Sequence, residues 1–394
     1  MKRRIETLLC HRGEKRTESE GAVVPPLHQS SLFTFTDWDD INQAFDARTE
    51  RSIYTRLTNP TTRVAERKIA ALAGEEYDCR LTASGMGAIS AAVMNVLSTG
   101  DHIIAVKNIY GPTNNFINRY LKRKMDISVT FVSGADPAEF EQAITDRTAL
   151  ILLESPSSAL FGLQDIHAVA DIARTRGITS LIDNTWATPL YQKPLDMGID
   201  LEVHSVSKYL GGHSDIVAGA IISSPQRIRD IVLNESELLG ATIAPHTSWL
   251  ITRSLRSLPM RLEAHQRNGM AVARFLEGHP RIRQVRHPGL ESHPQHELAK
   301  RQMTGFTSLM GFELDSDDPE HIKAFFNSLE LFLIGVSWGG HESLIYAPAL
   351  GYRKELPRER FDDLGISPGD LRISVGLEHA ADLIADLEQA LAHV

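Results

Sequence analysis

Residues 200–214 read Asp200-Leu201-Glu202-Val203-His204-Ser205-Val206-Ser207-Lys208-Tyr209-Leu210-Gly211-Gly212-His213-Ser214. A strand over 201–205 runs into two hydroxyl residues, a lysine and a glycine pair. An amine at a strand end projects into a cleft, and hydroxyls beside it can bind an anion. This suits a lysine that forms an imine with an aldehyde cofactor, because such a lysine must lose its proton in a preorganised site. An isolated Ser-Lys pair is far more often a solvated surface charge, so the reading depends on its surroundings.

Outward from that strand, short apolar runs at 79–83, 102–106, 127–132, 149–153 and 179–182 alternate with helical patterns beginning near Thr61, Gly85, Pro112, Pro137 and Asp165. Alternation of this kind calls for parallel strands, which need long return connections, with helices over both faces. The expected fold is α/β, built on a large and mostly parallel sheet. After about residue 245 the pattern changes to a long helical stretch, 247–278, and then to mixed strands and helices. A smaller C-terminal α/β domain is therefore expected over 247–394, behind a large domain over 54–246. Residues 1–53 carry little periodicity and are broken by Pro25-Pro26, so they are expected to form an N-terminal arm. A chain of 394 residues is long enough to bury two such cores.

Composition excludes several classes. Apolar residues make up 42% of the chain and charged residues 23%, as in ordinary soluble enzymes and unlike disordered or fibrous proteins. The net charge of -9 is dispersed, and Lys122-Arg123-Lys124 lacks aromatic neighbours, which argues against nucleic acid as a partner. No run of about 18 apolar residues is present, so neither a membrane span nor a membrane partner is expected. Between Met1 and Lys15 the only apolar stretch is Leu8-Leu9-Cys10, too short for a secretory signal. Cys10 and Cys79 alone cannot build a disulfide framework or a four-cysteine zinc site, so a reducing, cytoplasmic setting is expected. His204 with His213, and His293 with His296, lack a third ligand nearby, and no metal is expected.

The run around Lys208 resembles the cofactor-lysine signature of the cysteine/methionine-metabolism enzymes that depend on pyridoxal 5'-phosphate (PLP). Ser205 fits the signature, Ser207 keeps the hydroxyl of the usual threonine, and Val206 is less usual. The resemblance implies fold type I, as in PLP-dependent transferases, with Lys208 holding the cofactor. Asp183 follows an apolar strand in Leu181-Ile182-Asp183-Asn184-Thr185-Trp186. PLP stores electrons only while its pyridine nitrogen stays protonated, and a buried carboxylate beside that nitrogen raises its pKa, so Asp183 is read as its partner. Without Lys208 downstream, Asp183 would be read as a capping residue. Thr82-Ala83-Ser84-Gly85-Met86 joins a strand to an apolar helix, whose N-terminal amides attract anions. The family places its phosphate loop at this Ser-Gly-Met, which implies phosphate contacts from Ser84, Gly85 and Met86, completed by Ser205 and Ser207.

Further segments match the same family. Tyr54-Thr55-Arg56 stands before Asn59-Pro60-Thr61, where family members send a tyrosine and an arginine to the phosphate of a neighbouring subunit. The resemblance thus implies a homodimer with shared active sites, assembled into a tetramer. Tyr110, before Gly111, is expected to stack on the cofactor ring and to take part in proton transfer. Arg372 lies in the apolar run Leu371-Arg372-Ile373-Ser374-Val375, where burial demands an anionic partner. Its planar fork suits the substrate α-carboxylate, and the family places its carboxylate-binding arginine in this segment.

Three features bear on the reaction. Gly335-Val336-Ser337-Trp338-Gly339-Gly340 is similar to the tryptophan-containing form of the family's cystathionine β-lyases, where many γ-specific members carry leucine. Ser337 and Trp338 are accordingly expected at the substrate. Trp186 stands where γ-type members usually have phenylalanine, and Ser158 where relatives often have asparagine. Together they imply β-elimination of cystathionine to homocysteine, pyruvate and ammonia, a carbon-sulfur lyase step of transsulfuration serving methionine biosynthesis. The alternative is a cystathionine γ-lyase, γ-synthase or homoserine sulfhydrylase of the same family.

Overall fold

The computed structural model describes residues 3–355, 358, 361 and 364–394. The large sheet has seven strands, β1 (Asp78–Thr82), β2 (His102–Val106), β3 (Ser128–Val132), β4 (Thr148–Glu154), β5 (Thr179–Asp183), β6 (Leu201–Ser205) and β7 (Gly219–Ser223). They lie in the order β1-β7-β6-β5-β4-β2-β3. Strands β2 to β6 pair in parallel, joined by helices such as Ile166–Arg176; the apolar runs of β2, β4, β5 and β6 are buried on both faces, while β3 at the edge is partly exposed. β2 is buried at every position, and Leu150 to Leu153 of β4 are buried at 1% exposure or less. A buried Leu or Ile stabilises the fold by about 1.5–3 kcal/mol, so this layer is a large share of the driving force.

β7 lies outside the six expected strands. It runs antiparallel between β1 and β6, which makes the sheet mixed at that edge. A short apolar run after a glycine-rich turn leaves strand and helix equally open in sequence; pairing decides between them. Gly219 opens β7 directly beneath the turn at Ser84, where a Cβ would lie 2.2 Å from the Ser84 carbonyl oxygen.

The expected helix over 247–278 is two helices, Pro245–Leu255 and Leu258–Glu277. Pro259 explains the break, since it lacks the amide needed to continue a helix but fits a first turn. The second of these helices and Ala380–Leu391 pack on a five-stranded sheet in which β8 (Ile282–Arg286), β9 (Leu309–Leu314), β10 (Leu333–Ile334), β11 (Leu344–Tyr346) and β12 (Asp370–Ser374) follow the order β10-β11-β12-β9-β8. Its core gathers Val272, Leu276, Phe312, Phe325, Ile373 and Leu387.

Part of the N-terminal segment is core. Leu9 is fully buried in a cluster with Ile69 and Leu72, and Glu14 bridges Lys68 at 2.9 Å and Arg256 at 2.8 Å. The Trp249 indole N–H donates to the Pro25 carbonyl at 3.2 Å. Among the described residues, no helix is long and apolar enough to cross a membrane, and no group of three or more His, Cys, Asp or Glu is placed to hold a metal.

Candidate active site

The C-terminal ends of β4, β5 and β6, the turn after β1 and the turn before β11 surround a cavity of about 490 Å³. Ligands of parallel α/β sheets bind at this edge because the connecting loops diverge there. Ser84, Gly85, Met86, Tyr110, Asp183, Ser205, Ser207, Lys208, Ser337 and Trp338 all line it, although they span more than 250 residues of sequence.

Ser84 is the N-cap of the helix Gly85–Val96, and its Oγ accepts from the Gly87 amide at 3.0 Å. The amides of Gly85 and Met86 therefore stand in the first turn, where they have no partner within the helix. A Cβ on Gly85 would sit 3.0 Å from the Ser205 side chain, so glycine keeps this corner open. The Ser207 hydroxyl donates to the Ala218 carbonyl at 3.3 Å and accepts from the Ala218 amide at 3.0 Å. Helix amides, two serines and a neighbouring lysine form a donor set suited to a phosphate and an aldehyde on one molecule.

Lys208 Nζ donates to the Ser337 hydroxyl at 2.5 Å and lies 5.4 Å from the Trp338 ring centre. Burial, and then the charge of Arg372, lower its pKa to about 8. A shift of that size raises the free-amine fraction at neutral pH by about two orders of magnitude. Asp183 accepts from the Thr185 amide at 2.9 Å and from the Thr185 hydroxyl, which fixes the carboxylate at the end of β5. Thr185 in turn accepts from the Ser205 amide at 2.9 Å and so ties Asp183 to β6. Loss of solvent pushes Asp183 above the ordinary aspartate range. A cationic ring nitrogen beside it is the partner that would restore its charge.

Arg372 stands on β12 directly opposite Tyr346 of β11, and its guanidinium lies 4.9 Å from the Tyr346 ring centre. It donates to the Val336 carbonyl at 2.8 Å, and Val336 lines the cavity. Burial lowers the pKa of Arg372. Gly351 makes the stacking possible, since a Cβ there would meet the Tyr346 hydroxyl at 1.7 Å. The turn holding Ser337 and Trp338 also depends on a glycine. Gly339 has φ +79°, and a Cβ there would lie 2.9 Å from the Tyr209 amide nitrogen.

Tyr54 and Arg56 are not brought to this cavity within one chain. They line a separate cleft with Gln29, Ser30, Thr242 and Pro245, and the Arg56 guanidinium lies 5.5 Å from the Tyr54 ring centre. Glu154, Thr185 and Tyr346 were not among the residues singled out from sequence. Glu154 had a readable signal, an acid closing an apolar strand as Asp183 does. The partnership of Tyr346 with Arg372 follows only from strand register.

Residues 6–392 match the family described as Cys/Met metabolism PLP-dependent enzyme. The chain belongs to this family. It is similar to the L-methionine gamma-lyase of Fusobacterium nucleatum subsp. polymorphum, with 40% identity over 379 residues, 95% of this chain and 94% of the relative. With the cystathionine gamma-lyase of Bacillus subtilis (strain 168) it shares 37% identity over 389 residues, 99% of both chains. With the cystathionine beta-lyase of Coxiella burnetii it shares 36% over 391 residues, 99% of this chain and 98% of the relative. The crystal structure of cystathionine gamma synthase from Xanthomonas oryzae pv. oryzae superposes with TM-score 0.93 at 35% identity, covering 100% of this chain and 99% of that one. A Campylobacter jejuni structure carrying N'-pyridoxyl-lysine-5'-monophosphate superposes with TM-score 0.94 at 30% identity, covering 99% of this chain and 100% of that one. The fold is therefore that of the type I PLP enzymes, PLP is the cofactor, and the chemistry is that of the family's lyases and synthases. These relatives divide between β- and γ-specific enzymes, so membership leaves the broken bond open.

Proposed function

We propose that this enzyme is a PLP-dependent carbon-sulfur lyase that β-eliminates cystathionine to homocysteine, pyruvate and ammonia. The observation that carries this reading is the enclosure of Lys208 by Ser337 and the Trp338 indole. β-Elimination needs one amine to work over the α-carbon and the adjacent leaving sulfur, whereas γ-elimination needs it to reach Cβ as well. In this reading the indole, held 5.6 Å from the Tyr209 ring, would restrict that second excursion.

PLP supplies an electron sink for the carbanion at the substrate α-carbon. Asp183 holds the negative charge that a protonated ring nitrogen requires. The helix start at Ser84, Gly85 and Met86, with Ser205 and Ser207, takes the phosphate. Arg372, aligned by Tyr346, receives the α-carboxylate through two parallel hydrogen bonds and so orients the Cα–H bond. Lys208 takes the α-proton, and Tyr110 offers its ring to the cofactor and its hydroxyl to the proton path. The sulfur then departs as the thiolate of homocysteine, and water releases the remaining carbons as pyruvate and ammonia.

The γ-lyase reading draws on the relatives at 37–40% identity. Incubation with cystathionine and identification of the keto acid separates the two. Pyruvate with homocysteine is the expected outcome, and 2-oxobutyrate with cysteine overturns the assignment.

A second copy of the chain completes the site in this proposal, within a dimer and then a homotetramer. Tyr54 is 47% exposed and shares its cleft with Arg56, away from Lys208, as a contribution to a neighbouring site requires. Arg56→Ala is expected to weaken PLP affinity about tenfold or more, the loss of one charge-assisted phosphate contact. Equilibrium dialysis measures this; an unchanged dissociation constant would remove the shared-site reading. Cys10 and Cys79 are both free, as a reducing, cytoplasmic setting would keep them.

A further inference from the structure

Glu154 ends β4 in register with Asp183 at the end of β5. Register partners on parallel strands lie about 4.8 Å apart and point to the same face, so the two carboxylates meet at the cavity edge. Their hydrogen-bond donors are separate. Glu154 is 6% exposed and accepts from the Tyr110 amide at 2.7 Å, and the Ser158 hydroxyl and backbone bond to it as well. Asp183 is served by Thr185 instead. The other titratable groups facing the pair are His204 on β6, Lys208 after β6, Tyr110 after β2 and Arg372 on β12.

We propose that Glu154 is a positioning residue that anchors the backbone of Tyr110 and the turn at Ser158 to the end of β4, and that it shares a single negative charge with Asp183. Two carboxylates in a site poor in water cannot both ionise cheaply, so one keeps a proton. Asp183 faces the cationic ring nitrogen in the proposed arrangement, which leaves the proton on Glu154. The direction agrees: burial, and then the charge of Asp183, raise Glu154 to about 8. Tyr110 opens the short helix Gly111–Asn115, so its backbone bond to Glu154 fixes where that helix starts beside the cavity.

This inference rests on the placement of PLP in the cavity and not on which carbon-sulfur bond breaks. It is therefore tested first without substrate. The visible absorbance of the cofactor-loaded enzyme, titrated from about pH 6 to 10, is expected to contain a step near pH 8 that Glu154→Gln removes. Superimposable titrations of the two proteins would overturn the shared charge. A failure there is distinct from an unexpected product in the keto-acid assay.

The anchor is tested by rescue. Glu154→Ala leaves the Tyr110 amide without its acceptor and is expected to lower kcat about 30-fold or more, with a smaller effect on KM. Glu154→Gln keeps an acceptor at the same position and is expected to recover at least about tenfold of that loss. Equal losses in both variants would refute anchoring. Should the alanine variant fail to fold, the substrate-free titration of the glutamine variant still decides the proposal.

Discussion

Replacing Lys208 with alanine is expected to abolish turnover while leaving the fold intact. The side chain touches the Ser337 hydroxyl and the Trp338 ring, and it packs at the cavity wall instead of the core. Burial disfavours the charge of Lys208, so losing it offsets the lost packing, and the thermal midpoint is expected to move by only a few degrees, or about 1 kcal/mol. The catalytic loss is of another order. In the proposed mechanism Lys208 would both attach the cofactor and move the α-proton, and general acid-base transfer alone is worth about 10²–10⁴-fold. Steady-state assays with PLP at saturation, read beside the absorbance of the bound cofactor, check this. Retained multiple turnover would contradict the role of Lys208. Added primary amines replace only the proton-transfer function, so partial chemical rescue would separate the two contributions.

The second large effect is expected from Asp183→Asn. The amide preserves the shape at the end of β5 and can still accept from Thr185, but it carries no charge for the ring nitrogen. Removing a preorganised charge from a site of this kind lowers kcat by about 10²–10³-fold. A variant within about threefold of wild type would show that ring protonation does not limit the reaction. The substitution also bears on Glu154. With the Asp183 charge gone, Glu154 loses the repulsion that helps hold its pKa near 8, so it ionises at lower pH. In the double variant with Glu154→Gln that step is absent, which provides an independent check on the shared charge.

Without the cofactor, the pH behaviour of the site has two components of opposite origin. Lys208 is a base whose pKa is lowered to about 8, chiefly because burial disfavours its charge. Glu154 is an acid raised to about the same value, also chiefly by burial. Both shifts favour the neutral form, and both arise because the sheet edge and the second domain exclude water from one cavity.

Much of this was legible in the linear chain because it depends on local chemistry. Buried parallel strands need unbroken apolar runs, so 102–106, 149–153 and 201–205 declare themselves. A helix start that binds an anion needs a cap and small residues, which Ser84-Gly85-Met86 supplies within a few positions. Asp183 closes β5 and Lys208 stands three residues past the end of β6, where the sheet edge must lie. Family membership carried the rest of the cofactor assignment.

What tertiary structure alone decided concerns pairing between distant segments. No local pattern sets β7 antiparallel between β1 and β6, because a five-residue apolar strand specifies its partner only through the assembled sheet. No spacing reveals that Tyr346 stacks on Arg372, since that contact follows from the register of β11 against β12. The same holds for Glu154 beside Asp183, 29 positions away in the sequence and adjacent in the sheet. Lys208 could be identified by its own sequence, but the shifts of charge that make it useful are made by residues brought to it from other strands.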